Sequence, residues 1–390
     1  MIAVVADDFT GAAELAGVSL RFGLRCELQS GGPFEAGVDV IVLDTNTRAE
    51  LPAVAARCVA EVAETVRSWS PEWVYKKTDS VLRGNVVEEV QAFRDGLRSR
   101  GALLLPGNPA RGRVVRDGRL LVNGVPLDQS EFAEDPEYRT VSSDVLRLLG
   151  LQGGEDVRLV RPGEPIPEAG LVIAEAREPD DVDWWATHLP EGFVPAGASE
   201  FFAALVRRQF APRPPQKSLL PEVFQGRILI ICGTRTQEQL RRNPSVPLCE
   251  VFLSEDGVDP GRKVADQCQR AAELLHRFHR LFLVPRSGRK GRDRHGRLTY
   301  QIAEVVQQVI ELCPVDEIIV EGGSTASTIV RSLGWLRWEP VTELIPGVVR
   351  LRYCGGPSRY LTVKPGSYGW PQGMLDLLAR GCVSVAGNDP

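Results

Sequence analysis

Two adjacent carboxylates, Asp7 and Asp8, stand where a short apolar run, Ile2–Ala6, gives way to a helical pattern. Ligands of parallel α/β sheets bind beyond the carboxyl ends of the strands. Carboxylates at such a point could hold hydroxyl groups or accept a proton. Thr10 is expected to cap the helix, and Gly11 would let a ligand approach the backbone. The alternative is that one aspartate caps the helix while the other is solvated.

A second polar segment, YKKTDSVLRGN (75–85), also follows a predicted strand. Arginine forms a two-pronged pair with a carboxylate, and lysine offers a point charge beside it. The aspartate and the serine could hold hydroxyl groups, so the segment suits a small polyhydroxy acid. A solvated charged loop is the alternative, but both polar segments should open at one edge of the sheet. The residues concerned are Lys76, Lys77, Asp79, Ser80 and Arg83.

A third segment, EIIVEGGSTASTIVRSLG (317–334), runs from a predicted strand through the glycine pair 322–323 into a helix. Ser324 and Thr325 are expected to cap this helix, and Gly334 to end it. The backbone N–H groups at such a helix start favour phosphate. An ordinary tight turn is the alternative.

The glycine-rich segment VKPGSYG (363–369) places Lys364 and Gly366 in the same half of the chain. It could cover a phosphate or an adenine, or form a simple turn. The chain has no G-x-x-x-x-G-K-[ST] motif, which excludes a P-loop nucleotide site.

Two further features of the sequence could bind ligands. His276 and His279 lie three residues apart in a helical pattern, but no carboxylate or cysteine has matching spacing, so no residue is assigned to a metal. The basic segment RSGRKGRDRHGR (286–297) could contact phosphate or nucleic acid. Its composition favours a surface loop or a flap near a nucleotide.

The elements that must position these residues alternate between strand and helix, which predicts an α/β fold with mostly parallel sheets flanked by helices. Predicted strands are 2–6, 38–43, 73–75, 103–105, 227–232, 281–284 and 317–320. The first predicted helix follows Asp8 and ends at Gly23. The other predicted helices are 52–69, 85–97, 264–278, 299–313 and 325–333. Asn85 and Glu88 are expected to form a capping box at the start of the helix 85–97. The D-G and N-G pairs within 112–127 predict a hairpin.

At 390 residues the chain exceeds what one hydrophobic core usually organises, so two domains are expected. The proline-rich segment FAPRPPQKSLLPE (210–222) is the best linker candidate. The predicted boundaries are 1–210 for the N-terminal domain, 211–222 for the linker and 223–390 for the C-terminal domain. The ligand site is expected in the cleft between the two domains.

The bulk composition is that of a soluble globular protein. A net charge of −5 argues against a general nucleic-acid-coating protein. Eight scattered cysteines, with no C-x-x-C pair, indicate reduced thiols. The first apolar run is too short for a signal peptide, and no apolar stretch approaches the roughly 20 residues of a membrane helix. A cytoplasmic protein is therefore expected.

Taken together, these segments resemble the four-carbon acid sugar kinase family, in order and over nearly the whole length. The resemblance is carried by ADDFTGA, TNTR ending at Arg48, YKKTDSVLRGN, PGNPARGRVVRDGRLLVNGVPL, EGGSTA, ELIPGV and VKPGSYG. It implies a two-domain kinase whose N-terminal domain takes a small sugar acid and whose C-terminal domain takes ATP.

Site residues follow from this resemblance together with the motifs above. The sugar-acid site would comprise Asp7, Thr10, Gly11, Arg48, Lys77, Ser80, Arg83 and Gly84, with Asp8 and Asp79 as catalytic candidates. The ATP site would comprise Thr234, Thr236, Gly322, Gly323, Ser324, Thr325, Lys364 and Gly366. ATP and Mg²⁺ are the implied cofactors.

The chain departs from the family pattern on the ATP side. Ser324 stands where the family usually has an acidic residue, and CGTRTQEQ (232–239) replaces a Gly-Ser-Cys-Ser type of turn. A missing carboxylate would bear on turnover if it orients Mg²⁺. Ser324 could still bond a phosphate, so ATP binding is less affected.

The leading hypothesis is phosphoryl transfer from MgATP to a terminal hydroxyl of a four-carbon sugar acid. Arg83 and Lys77 would fix the substrate carboxylate, and Asp8 or Asp79 would accept the hydroxyl proton, with Asp8 preferred. One alternative is a non-catalytic sensor of the sugar acid or nucleotide, and another is a nucleic-acid-binding protein that uses residues 286–297. No membrane or nucleic-acid partner is expected, and a homodimer is left open.

Overall fold

The structure, a computed structural model, describes residues 1–31, 37–134, 138–151, 156–210, 224, 226–232, 248–251, 260–285, 292–366, 370, 374 and 378. Contacts divide the chain into two compact units, Met1–Gln216 and Lys217–Pro390. The predicted α/β class with mostly parallel strands is confirmed. The linker predicted at 211–222 lies outside the described residues, and the cleft site stays a prediction.

The first unit places helices on both faces of a parallel sheet. Its strands are β1 (Ile2–Ala6), β2 (Cys26–Gln29), β3 (Val40–Asp44), β4 (Trp73–Lys77), β5 (Gly101–Leu105), β6 (Arg113–Arg116), β7 (Arg119–Val122), β8 (Val125–Pro126), β9 (Val157–Val160), β10 (Gly170–Ala174) and β11 (Phe193–Gly197). Its α-helices are α1 (Phe9–Arg21), α2 (Pro52–Ser68), α3 (Val86–Gly96), α4 (Val145–Leu148), α5 (Pro179–Thr187) and α6 (Ser199–Gln209). The predicted strands and helices of this half are confirmed, with shifts of a few residues at their ends.

The main sheet has the order β2-β3-β1-β4-β11-β5-β10-β9, and all of its neighbouring strands are parallel. From β1 the chain passes through α1 to β2 on one side, and from β4 it passes through α3 to β5 on the other. Neighbouring strands whose connections leave in opposite directions form the switch point at which such sheets bind ligands. The crevice between the carboxyl ends of β1 and β4 is therefore the expected site.

Lys76 and Lys77, adjacent residues of β4, point to opposite faces of the sheet, because side chains alternate along a strand. Tyr75 packs against Phe202 of α6, and Lys77 lies on that same face. Lys76 points the other way and pairs with Glu89 of α3 at 2.7 Å. The expectation that Lys76 belongs to a polar loop was wrong, since it is a fully buried strand residue.

The predicted hairpin is confirmed as part of a three-stranded antiparallel sheet in the order β6-β7-β8. The turn residues Asp117 and Gly118 donate their backbone N–H groups to the buried carboxylate of Glu175, at 3.1 and 2.8 Å. Val115 and Phe132 join the same hydrophobic cluster as residues of α3. The insertion is thus anchored to the main sheet on the α3 side.

The second unit continues the alternation. Its described elements are β12 (Ile228–Ile231), β13 (Leu248–Val251), α7 (Pro260–Phe278), β14 (Arg280–Pro285), α8 (Arg292–Leu312), β15 (Glu317–Glu321), α9 (Gly323–Ser332), β16 (Arg337–Ile345), β17 (Val348–Tyr353) and β18 (Tyr360–Lys364). Strands β13-β14-β12-β15-β18 are parallel, and β17 and β16 continue the sheet antiparallel. Within the described ranges, no helix has the length and apolar character needed to cross a membrane.

Two helix caps in the first unit differ from expectation. Asp8, in extended conformation, caps α1 by accepting the N–H of Gly11 at 2.9 Å, so Thr10 lies inside the helix. Asn85 precedes α3 without a capping hydrogen bond, because its side-chain amide donates to the carbonyl of Thr47 at 3.0 Å and to a second loop carbonyl. Hydrogen bonds from Asn85 to the loop after β3 therefore take the place of the predicted capping box.

In the second unit, Gly322 caps α9 with a φ of +99°, a conformation that favours glycine, so Ser324 and Thr325 lie within the helix. Helix α8 begins at Arg292, inside the segment predicted as a loop, since arginine is a good helix former. His279 lies beyond the end of α7, with a left-handed φ of 59°, so the two histidines do not share a helix.

Candidate active site

One guanidinium, that of Arg48 in the loop after β3, joins the three aspartates at the crevice. Its Nε and Nη2 donate to the two carboxylate oxygens of Asp7 at 2.7 and 2.8 Å, and Nη2 also donates to Asp8 Oδ1 at 2.7 Å. Its Nη1 lies 3.8 Å from Asp79 Oδ1. Asp7 is buried rather than solvated, and Arg48 is the cation that contacts all three carboxylates of this charged cluster.

The three carboxyl groups differ in pKa, although burial acts to raise the pKa of each. For Asp7, Arg48 overcomes burial and lowers the pKa. For Asp79, Arg83 and then Arg48 overcome burial and hold the pKa far below its usual range. For Asp8, burial exceeds the opposing effect of Arg48, and with the negative charge of Asp7 it raises the pKa. Asp8 is therefore the best proton acceptor of the three.

The carboxylate of Asp8 also has room for a ligand. Its Oδ1 accepts from Gly11 and Arg48, whereas Oδ2 accepts no hydrogen bond from the described residues. A Cβ at Gly11 would lie 2.8 Å from Asp8 Oδ1 and 3.2 Å from Lys77 Nζ. Glycine at position 11 therefore allows a carboxylate and an ammonium group to approach one another at the start of α1.

Lys77 is almost completely buried on the α1 side of the crevice. Its Nζ donates to the carbonyl of Thr78 at 2.8 Å and lies 3.7 Å from Glu14 Oε2. Ser199 donates to Glu14 Oε1 at 2.8 Å and accepts from the side-chain amide of Asn108 at 3.3 Å. The ammonium group makes one hydrogen bond within the described structure, which leaves donors for a ligand.

Sequence reasoning missed Glu14, Ser199 and Asn108 as members of this network. Glu14 lies one helical turn after Thr10, and Asn108 lies within the motif PGNPARG, so both had a signal in the sequence. Ser199 had none, because the sheet order alone brings the start of α6 to this edge.

A second cluster lies on the hairpin side of the crevice. Arg83 forms a two-pronged pair with Asp79, with both distances at 2.9 Å. Arg113 of β6, which sequence reasoning also missed, donates from Nη1 to Ser80 Oγ at 2.7 Å. The guanidinium carbons of Arg83 and Arg113 lie 5.8 and 5.5 Å from the centre of the Phe132 ring. The ring thus supports two cations beside a serine hydroxyl.

Two threonine hydroxyls beside the crevice have no hydrogen-bond partner among the described residues. Thr10 lies one turn before Glu14 on α1, and Thr78 follows β4. A buried hydroxyl without a partner costs about 1–3 kcal/mol. Such groups are commonly satisfied by a bound ligand or an ordered water.

Gly84 sits directly against Arg48. Its φ is +88°, and an added Cβ would lie 2.7 Å from Arg48 Cγ. We expect Gly84→Ala to displace Arg48, to lower activity, and to cost about 1–3 kcal/mol beyond the backbone strain.

The matched control is Gly124→Ala. Gly124 has a φ of +82°, but a Cβ there would meet nothing within 4 Å, so it should show only the strain of about 1–2 kcal/mol. Urea unfolding of both variants measures the difference. Equal destabilisation with full activity in both would contradict the contact with Arg48.

In the second unit, a buried ion pair lies below the glycine turn. Lys364 Nζ donates to Glu321 Oε1 at 3.0 Å, and the indole of Trp370 donates to Glu321 Oε2 at 3.4 Å. The Gly322 N–H donates to the carbonyl of Lys364 at 2.8 Å, which joins the ends of β15 and β18. Glu321 precedes the glycine pair and was not predicted.

The start of α9 is an open glycine turn, the kind of helix start that can bind phosphate. A Cβ at Gly322 would meet nothing within 4 Å, so the turn borders open space, and Ser324 and Thr325 lie in the first helical turn. Gly366 follows β18, whereas Thr234 and Thr236 lie outside the described residues. In the described part of the chain, no group of three His, Cys, Asp or Glu residues could hold a metal ion.

Comparison with known proteins relates both units to one family. A family model described as "Sugar-binding N-terminal domain" matches residues 2–178. A D-threonate kinase of Bordetella bronchiseptica is 31% identical over 421 residues, which cover 98% of this chain and 97% of that protein. A 3-oxo-tetronate kinase of Pseudomonas savastanoi pv. phaseolicola is 31% identical over 434 residues, covering 99% of this chain and 98% of that protein.

The fold has also been observed by crystallography. A solved structure from Salmonella typhimurium LT2 matches with a TM-score of 0.73 and 19% identity, covering 94% of this chain and 96% of that chain. This likeness concerns the fold alone. The identity to curated kinases over nearly the full length shows that the chain belongs to the four-carbon acid sugar kinase family.

Proposed function

We propose that the protein is an ATP-dependent kinase that phosphorylates a terminal hydroxyl of a four-carbon sugar acid. The observation that carries this proposal is Asp8, whose pKa is raised, whose Oδ2 accepts no hydrogen bond from the described residues, and which lies beside the Lys77 ammonium at the switch point. The names of the relatives support a four-carbon acid as the substrate class.

In this proposal Asp8 accepts the proton of the attacking hydroxyl. Arg48 holds Asp7 and Asp8 in fixed orientations, so the base is positioned before the substrate binds. Lys77, beside Asp8, and Arg83, on the hairpin side, are the cations that border the two ends of the substrate. Asp79 is the weaker candidate for the base, because its pair with Arg83 favours its ionised form so strongly that it binds protons poorly.

The second unit is proposed to take the nucleotide, and MgATP would supply the phosphoryl group. The residues assigned to it are Gly322, Gly323, Ser324, Thr325, Lys364 and Gly366. A helix start with exposed N–H groups is a general phosphate-binding arrangement. The Glu321–Lys364 pair holds the turn in place.

The direct test is release of ADP from MgATP in the presence of D-threonate, D-erythronate or 3-oxo-tetronate, with a blank that lacks any acid. ADP formation with one acid and none in the blank would support the kinase and identify its substrate. If no acid yields ADP but one of them raises Tm, the protein is a sensor and the proposed activity is wrong. Because Ser324 stands where the family usually has an acidic residue, ADP formation would also show that turnover does not require that carboxylate.

A further inference from the structure

The cations of the acid site lie on two sides of the β1–β4 crevice. Lys77 lies on the face covered by α1 and α6, next to Gly11 and Asp8. Arg113 and Arg83 lie around Phe132, which belongs to the hydrophobic cluster on the α3 side. A ligand spanning the crevice would therefore meet a different group of charges at each end.

The position of the proposed base indicates which end of the crevice holds the reacting hydroxyl. If Asp8 accepts the proton of the reacting hydroxyl, that hydroxyl lies at the Lys77 side, where an ammonium can also neutralise the arriving phosphoryl group. In a four-carbon acid, the terminal hydroxyl and the carboxylate are at opposite ends of the carbon chain. The carboxylate must then lie away from Asp8, toward the hairpin.

We propose that Arg113, together with Ser80, binds the carboxylate of the substrate and so determines specificity for acids. Ser80 Oγ accepts a hydrogen bond from Arg113 Nη1, and its own proton is not donated to any described residue. A guanidinium and a hydroxyl donor side by side form a binding pair for a carboxylate. This inference rests on the proposed function, from which the orientation of the substrate follows.

Arg113 is held in place by contacts within the described structure. The backbones of Asn108 and Arg113 exchange two hydrogen bonds, at 2.6 and 3.1 Å. Glu175 holds the far turn of the same hairpin, and the Phe132 ring supports the guanidinium. A pre-positioned arginine loses little entropy on binding a planar anion.

The experiment compares a four-carbon acid with its neutral amide, which keeps the hydroxyls and removes the charge. In Arg113→Gln, KM for the acid should rise about 10- to 100-fold, as expected for a lost charged hydrogen bond. KM for the amide should stay within a few-fold of the unmodified protein, and kcat should change little. Ser80→Ala should act in the same direction with a smaller effect.

Arg116→Gln is the matched control, because Arg116 is an exposed arginine on the same strand. It should leave both KM values unchanged. Equal rises in KM for acid and amide in Arg113→Gln would overturn the proposal, since a merely structural role affects both ligands.

A binding readout separates this proposal from the kinase activity. The rise in Tm caused by the acid and by the amide is measured for the unmodified protein and for Arg113→Gln, without nucleotide. Loss of stabilisation by the acid alone would support Arg113 as the carboxylate ligand, even if no ADP is ever formed. Unchanged stabilisation by the acid would reject it, whatever the turnover.

Discussion

Replacing Asp8 with Asn is expected to lower kcat by about 10²- to 10⁴-fold, the range attributed to a positioned general base. Asparagine keeps a side-chain oxygen that can accept the N–H of Gly11, so the cap of α1 should survive. The amide cannot accept the proton of a hydroxyl. KM for MgATP should change little, because the nucleotide residues proposed above lie on other elements.

The pH dependence provides a second readout of Asp8. A base must be ionised, so activity should fall on the acid side as pH drops through the raised pKa of Asp8. A group whose folded pKa is raised disfavours the folded state at neutral pH, and this penalty disappears as pH falls through that pKa. Asp8→Asn should remove the contribution of Asp8 to the pH dependence of activity and to that of stability, while Tm stays the same or rises.

The control for this variant is Asp39→Asn, which changes an aspartate paired with Arg25 at the surface. It should keep full activity. If Asp8→Asn retains kcat within about tenfold of the unmodified protein, Asp8 is not the base. A collapse of kcat in Asp79→Asn, measured in a folded variant, would then make Asp79 the base.

Replacing Arg48 with Met should destabilise the fold by about 3–5 kcal/mol at neutral pH, the typical cost of removing one partner from a buried ion pair. Arg48 is 14% exposed and forms ion pairs with Asp7, Asp8 and Asp79. Without it, these carboxylates would repel one another in a buried site. Urea unfolding measures the loss, and activity should be abolished as well.

Acidification should reduce the loss of stability caused by Arg48→Met. In the unmodified protein the folded pKa of Asp7 is lowered, so its contribution to stability is present above the unfolded pKa and lost only as pH falls through the lowered value. In Arg48→Met, Asp7 and Asp8 would lose their main cation, so burial would raise their pKa values and protonation would relieve the repulsion at moderately acid pH. The stability difference should therefore narrow as pH is lowered from 7 to 4.

The comparison variant is Arg25→Met, which removes a cation from the exposed pair with Asp39. Water screens such pairs, so its unfolding curve should nearly coincide with that of the unmodified protein. If Arg48→Met behaves like Arg25→Met at both pH values, Arg48 is not the charge that holds the three aspartates together.

The two variants test different parts of one arrangement. Asp8→Asn removes a proton acceptor but keeps the shape of the site, so its effect should appear mainly in kcat. Arg48→Met removes the cation that lets three aspartates share a crevice, so its effect should appear first in stability. A site whose ionised base, here Asp8, opposes folding but serves the reaction is a common compromise in enzymes.

The sequence by itself determined the fold class, the strands that carry the polar segments and the helices that follow them. It did not predict β2, β9, β10 or β11 of the first unit. Strand–helix alternation is a local property, because hydrophobic periodicity and glycine positions are read within a few residues. The polar segments after β1 and β4 were also recognisable, because Asp7 directly follows the apolar run Ile2–Ala6 and Asp79 comes four residues after Tyr75.

Tertiary structure alone decided which charged groups pair. Arg48 is far from Asp7 in sequence, and only the neighbouring positions of β3 and β1 bring them together. The same holds for Lys76 and Lys77, which look equivalent in the sequence but lie on opposite faces of β4.

The pKa order of the three aspartates depends on burial and on the distances to cations, and neither quantity is local. Arg113 reaches Ser80 because the insertion folds back onto the sheet, a placement set by Glu175 some sixty residues away. The residue types of the site could therefore be identified from the sequence. Their pairing and their charge states follow from packing between elements distant along the chain.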